Sequence, residues 1–213
     1  MRIDKTEGFK PETSFLSVEK DASTILKAIL DDNVHGERIG KLMYYGSEDA
    51  LNKQPLTSEQ WRELVKPQFQ RTSPGCIKLV PKIYLEDEAR NYIIIKFDHF
   101  SPNMTNPEFR DNIISFNIIC HYDQWQLENL QLRPYQIAAA LDSIFNGAKL
   151  SGIGTLEFMG CDIIMPNDEF AGLDLSYLAI HGEDDKIPHP GDPYMMESFM
   201  KAFSADANVR NGR

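Results

Sequence analysis

No stretch of this sequence approaches the roughly 20 consecutive apolar residues of a bilayer-spanning helix, and the first fifteen residues hold no apolar signal segment. The chain is therefore expected to be made and kept in a cytoplasm, without a membrane partner. Clustered positive charge is missing too: 22 Lys and Arg stand against 32 Asp and Glu, for a net charge of −10. Tight nucleic-acid binding needs clustered Lys and Arg to meet phosphates, so such an acidic chain is a poor candidate for it. Cysteine is scarce. Cys76, Cys120 and Cys161 share no CxxC spacing, and each is flanked by apolar residues in a strand-like segment. They read as reduced core thiols rather than as disulfides or metal ligands. The five histidines, His35, His99, His121, His181 and His189, fall in no HxH, HExxH or Cys/His pattern. The Ser-Gly-Ile-Gly run at 151–154 lies between a helix and a strand, whereas a dinucleotide loop lies between a strand and a helix. Cys120 and His121 are neighbours in a strand and so point to opposite faces, a poor placement for proton transfer. These absences leave no catalytic, cofactor-binding or metal residue to assign. An enzyme would require Asp98, His99, His121 and Asp123 to converge in a cleft.

What the sequence does contain is a mixed α/β pattern of ordinary composition, 42% hydrophobic and 25% charged, organised around Asn112 to Ile180. Its centre is a helix over Arg133 to Phe145. Pro134 sits just inside the start, where a missing N–H has no intrahelical partner to lose. Ile137, Leu141, Ile144 and Phe145 form one stripe at the helical period, and Asn146 and Gly147 stop it. On both sides the period changes to 2. Ile114, Phe116, Ile118 and Cys120 alternate with Ile113, Ser115, Asn117 and Ile119, a strand with its apolar face to a core. Thr155 to Ile164 and Gly172 to Ile180 make two further strands around the turn at 165–169.

Residues 1–17 are polar and read as an arm, and 18–181 as one α+β domain. Its helical part, 18–70, has a helix from Lys20 through Leu30, another over Glu37 to Tyr45, and a third started by a capping-box-like Thr57 to Gln60. Its sheet-helix core, 76–181, begins with the Cys76 run, which is expected to form a hairpin with Tyr92 to Asp98. Two long loops follow, His99 to Asp111 and His121 to Leu132. Loops of that length are usually binding elements, and their His99, Asn103, Met104, Phe109, Tyr122 and Trp125 are the candidate contacts. Residues 182–213 form a Pro-rich linker and a short amphipathic helix whose stripe, Met195, Met196, Phe199, Met200 and Phe203, either folds back or docks on a neighbouring chain.

The segments RDNIISFNIICH (Arg110 to His121), RPYQIAAALDSIFNG (Arg133 to Gly147), Leu156 to Ile164 and Gly172 to Ile180, in this order, resemble the tail terminators and related head-to-tail joining proteins of tailed bacteriophages. The resemblance implies a twisted, mainly antiparallel sheet packed against helices, with a helical N-terminal region and an extended C-terminal tail. It implies a structural, non-enzymatic virion protein of the tail or neck, without cofactor. Copies would form a ring, usually hexameric in that family, that caps the tail tube and joins it to the head connector. The implied partners are further copies of the chain, the tail tube protein and the connector or stopper protein. DNA would pass through the lumen unbound, slipping past acidic walls. The alternatives are another neck component, an adaptor or stopper, or a non-viral intracellular interaction module.

Overall fold

The computed structural model describes residues 16–65, 76–79, 90–102 and 110–181. Three helices come first: α1 (Leu16–Asp31), α2 (His35–Tyr44) and α3 (Ser58–Val65). Helix α1 starts two residues inside the span expected to be an arm. Asp32 joins α1 to α2, its Oδ1 accepting from the N–H groups of Val34 (2.9 Å) and His35 (2.6 Å). Burial alone would raise the Asp32 carboxyl, but these backbone donors outweigh it and hold it below its usual range. Thr57 and Gln60 satisfy each other at the start of α3, as the capping-box pattern predicts: the Thr57 N–H donates to Gln60 Oε1 (2.8 Å) and the Gln60 N–H to Thr57 Oγ1 (3.3 Å). Glycine lets α2 approach its neighbours. A Cβ at Gly36 would lie 2.0 Å from the Ile29 carbonyl oxygen of α1, so that helix pair closes only over hydrogen.

Six strands follow: β1 (Ile77–Lys78), β2 (Asn91–Pro102), β3 (Arg110–His121), β4 (Lys149–Leu150), β5 (Gly154–Ile164) and β6 (Phe170–His181), with α4 (Arg133–Phe145) between β3 and β4. They form one sheet in the order β1-β2-β3-β6-β5-β4. The fold is α+β with a mainly antiparallel sheet, as the resemblance implies. One pairing differs from expectation. Ile77 pairs with Ile93 and Lys78 with Ile94 in parallel, so the Cys76 run makes no hairpin with β2. The Cys76 N–H donates to Leu64 O and the Ile93 N–H to Cys76 O, which lays β1 beside β2 directly from the end of α3. A second difference concerns the loop expected over His99 to Asp111. The ladder runs on through Ser101↔Asp111 and Pro102↔Arg110, past a register shift after Asp98. His99 sits in that irregularity with φ +55, which breaks the alternation by which the strand would be recognised.

The helices cover one face of the sheet. Ile93 and Ile95 of β2, Ile114, Phe116, Ile118 and Cys120 of β3, and Leu173, Leu175 and Tyr177 of β6 pack with Ile137, Leu141 and Phe145 of α4 and with Ile25, Ile29, Ile39 and Leu42. Phe116 stacks on Phe145 with ring centroids 4.9 Å apart and meets Tyr177 edge-on. Each such side chain fully buried contributes about 1.5–3 kcal/mol. The opposite face is apolar at one end, where Tyr92, Ile94, Ile119 and Phe170 cluster, and again at the other, where Ile113 and its register partner Leu178 are buried. Between the two ends Lys96 lies between Asp98 (3.5 Å) and Asp174 (3.6 Å), and Ser115 bonds Ser176.

At the rim of the helical face the Tyr177 hydroxyl donates to Asp142 Oδ1 (2.9 Å), and burial, with that carboxylate, pushes the phenol's pKa well up. Tyr177→Phe is expected to cost about 1.5–3 kcal/mol in urea unfolding, the range for a hydrogen bond to a charged acceptor. An unchanged midpoint would show that bond to be replaced by water.

Candidate assembly surface

The connection from β3 to α4 is held by one side chain. Arg133, the first residue of α4, is fully buried, although arginine is among the residues least often buried. Its Nε donates to Gln124 O (2.6 Å), Nη1 to Leu42 O (2.5 Å) and Tyr45 O (2.8 Å), and Nη2 to Ser47 O (2.8 Å). Leu42 and Tyr45 lie at the C-terminal end of α2, where unpaired carbonyls and the helix dipole favour a cation. Burial lowers the guanidinium pKa, and the neighbouring Cys120 thiol acts the other way. The planar fork therefore fastens the segment before α4 to the end of α2. Asn91 of β2 reinforces the junction, donating to Gln124 Oε1 (2.8 Å) and Leu42 O (3.3 Å).

From this anchor the chain between β3 and α4 is shaped bond by bond. It contains two 3-10 turns, Tyr122–Gln124 and Glu128–Leu130, and an isolated bridge between Gln126 and Leu132. The Leu127 N–H donates to Gln131 O, the Glu128 N–H to Glu48 O, and Asn52 Nδ2 to Glu128 Oε2. Leu127 is buried beneath, and Trp125 packs partly against the core. Above it, Asn129 and Leu130 both have left-handed backbones, with φ of +59 and +61. Asparagine tolerates that conformation, whereas leucine loses roughly 1–2 kcal/mol in it. Leu130 is also 83% exposed, and Tyr122, Leu132 and Tyr135 are exposed beside it in sequence. A rigid loop that presents apolar side chains from a strained backbone is preorganised for a partner.

The residues singled out in the sequence fare unequally. Tyr122 is exposed, and its ring stacks on His121 at 4.8 Å. Trp125 is half-buried, its ring packed partly against the core. His99 is exposed at the β2 irregularity. Asn103, Met104, Phe109, Met195, Met196, Phe199, Met200 and Phe203 lie outside the described residues. Cys76 and Cys120 are buried, and burial pushes their thiols up to about 11 and about 12; Cys161 is exposed, contrary to its expected place in the core. Arg133, Leu132 and Tyr135 were not singled out, and only their crowding around Pro134 could have drawn attention to them.

The four residues needed for an enzyme do not converge. His121 accepts from the Asp123 N–H (3.3 Å), with that carboxylate 3.6 Å from its Nδ1. Asp98 pairs with Ile113, eight residues from His121 along β3, or about 26 Å. Among the described residues no group of three or more His, Cys, Asp or Glu could hold a metal ion. A pocket of about 180 Å³ between α2, α3 and β2, lined by Met43, Leu64, Cys76, Arg90 and Gln124, is smaller than the 300–1,000 Å³ usual for ligand sites.

The YomW family matches residues 36–179, more than half of the chain, from α2 to the end of β6. Among solved structures, a chain from the virion of a native gene transfer agent particle is similar with a TM-score of 0.44 and 10% identity, over 79% of this chain and 100% of that one. Identity and score at that level say nothing of what the present chain does. No curated protein matches.

Proposed function

This chain belongs to the phage-derived YomW family, and on that premise we propose that it is a structural, non-enzymatic component of a phage virion. Within the virion its place is the tail or neck. There it acts as a tail terminator does: copies close into a ring, most simply a hexamer, that caps the tail tube and meets the head connector or stopper protein. DNA passes the lumen without specific binding, in keeping with the net charge of −10. The observation that carries a contact role is Leu130. A large apolar side chain, 83% exposed on a left-handed backbone and pinned on both sides by hydrogen bonds, costs the isolated chain stability. Burial against a neighbour repays that cost. Tyr122, Leu132 and Tyr135 widen the same surface, and His99 is a second contact.

The test is the mass in solution by light scattering, alone and with purified tail tubes, for the natural chain and for Leu130→Gly. Glycine relieves the backbone, so folding stability is expected to stay within about 1 kcal/mol. The natural chain is expected at the mass of a closed ring, or to assemble only at a tube end, and Leu130→Gly to weaken that assembly at least tenfold. A persistent monomer or dimer without affinity for tubes would overturn the neck role. A ring that forms equally well with Leu130→Gly would remove this loop from the contact.

A further inference from the structure

A second apolar surface lies at the edge of the sheet. Strand β4 pairs with β5 only at Lys149↔Thr155 and Leu150↔Gly154. From Glu157 to Ile164 the outer edge of β5 therefore has no strand partner among the described residues. On the face turned to the helices, Phe158 pairs with Tyr177, Cys161 with Leu175 and Ile163 with Leu173. The three β6 residues are buried, and so is Leu156 at the start of β5, but the helical layer stops there. Phe158, Cys161 and Ile163, the last 68% exposed, form a ledge, continued by Met165 in the turn. A long apolar edge invites pairing with other chains, and natural proteins blunt such edges or cover them.

The chain itself carries a matching segment. Met195, Met196, Phe199, Met200 and Phe203 fall on one stripe at helical spacing, with Glu197 and Lys201 four apart in the favourable order on another face. Methionine and phenylalanine suit an irregular apolar ledge. The segment is also tethered at the right place. The register Leu156↔Ala179 brings the end of β6 beside the Gly154 end of β5. Residues 182–194, thirteen in number, span at most about 45 Å when extended, and Ile163 lies about 30 Å along β5 from Gly154. A tether of that length holds the segment near the ledge at an effective concentration in the millimolar range. We infer that residues 195–203 pack on the Phe158, Cys161 and Ile163 ledge of their own chain and cover the free edge of β5.

Cys161 reports directly on this contact, because Cys76 and Cys120 are buried and their thiols are pushed up. The full chain is treated with a maleimide at concentrations where light scattering finds a monomer. Cys161 is expected to react at least tenfold more slowly in the natural chain than in the full-length Phe199→Asp, Met200→Asp double variant, and dilution is expected to leave the protection unchanged. A chain ended at Lys186 should match the double variant, which guards against a folding defect in either. Equal rates in all three would overturn the inference. Protection that vanished on dilution would overturn it as well, since the covering segment would then come from another copy.

Discussion

Arg133→Met is expected to lower folding stability by about 4 kcal/mol, measured by urea unfolding. The substitution keeps much of the volume but removes every donor. The carbonyls of Leu42, Tyr45, Ser47 and Gln124, which now receive the guanidinium, would lose that partner in a place water reaches poorly. Each unsatisfied buried acceptor costs about 1–3 kcal/mol, and neighbouring losses do not add fully, so the sum stays near the figure for breaking a buried ionic contact. The cation itself is held without a facing carboxylate among these bonds, which makes the carbonyl set its whole compensation. Arg133→Lys tests geometry separately from charge. An ammonium cannot reach carbonyls on two sides as a planar fork does, so about 3 kcal/mol of the loss should remain. Against a total stability of about 5–15 kcal/mol, either change is large. Hydrogen exchange in residues 121–132 should rise in both variants, because the anchor of the Leu130 loop is gone. A loss below about 1 kcal/mol for both would mean that water replaces the fork and that the clamp is not what shapes the loop.

The same residue shows where sequence and structure part. Arg133 to Phe145 is recognisable as a helix from Pro134, the stripe at Ile137, Leu141 and Phe145, and Gly147, whose φ is +74. These are local signals, and each acts within one or two turns. Three of the four bonds of the Arg133 clamp join residues 86 to 91 positions apart, and nothing local marks them. Period-2 patterning likewise reveals β3 and β6, whose alternate residues face an apolar layer. It fails for β2 beyond Asp98, where an irregular register and the left-handed His99 interrupt the count. It also misleads at Cys161. A cysteine flanked by apolar residues in a strand, two positions before Ile163, looks like core, but whether that face is buried depends on how far the helices extend across the sheet. At the candidate surface Tyr122 was legible as a loop aromatic. Leu130 was not, because its distinction is a backbone angle imposed by contacts with Glu48, Asn52 and Gln131. The half-burial of Trp125 was not legible for the same reason: its environment is made by elements distant in sequence.

Gly172→Ala is expected to be the other severe substitution, at about 3 kcal/mol and with slower refolding. Gly172 lies in β6, with Ile119 of β3 on one side and Ile164 of β5 on the other. A Cβ there would fall 1.7 Å from the Ile118 carbonyl oxygen and 2.7 Å from its carbon. Both atoms are backbone, so no side chain can turn aside to relieve the clash, and the β3 and β6 strands would have to separate locally. That would disturb the ladder on which the Tyr92, Ile94, Ile119 and Phe170 cluster is built. Overpacking typically costs 1–3 kcal/mol where side chains can shift, and a contact with fixed backbone belongs at the upper end. Gly160→Ala in neighbouring β5 is the control. A Cβ there would meet nothing within 4 Å, so the change should stay within about 0.5 kcal/mol. If the two alanine variants unfold at the same urea concentration, the tight approach of β6 to β3 is not a constraint on the fold. A large difference would identify residue 172 as a position that only glycine can fill, although its strand alternation would admit any small residue.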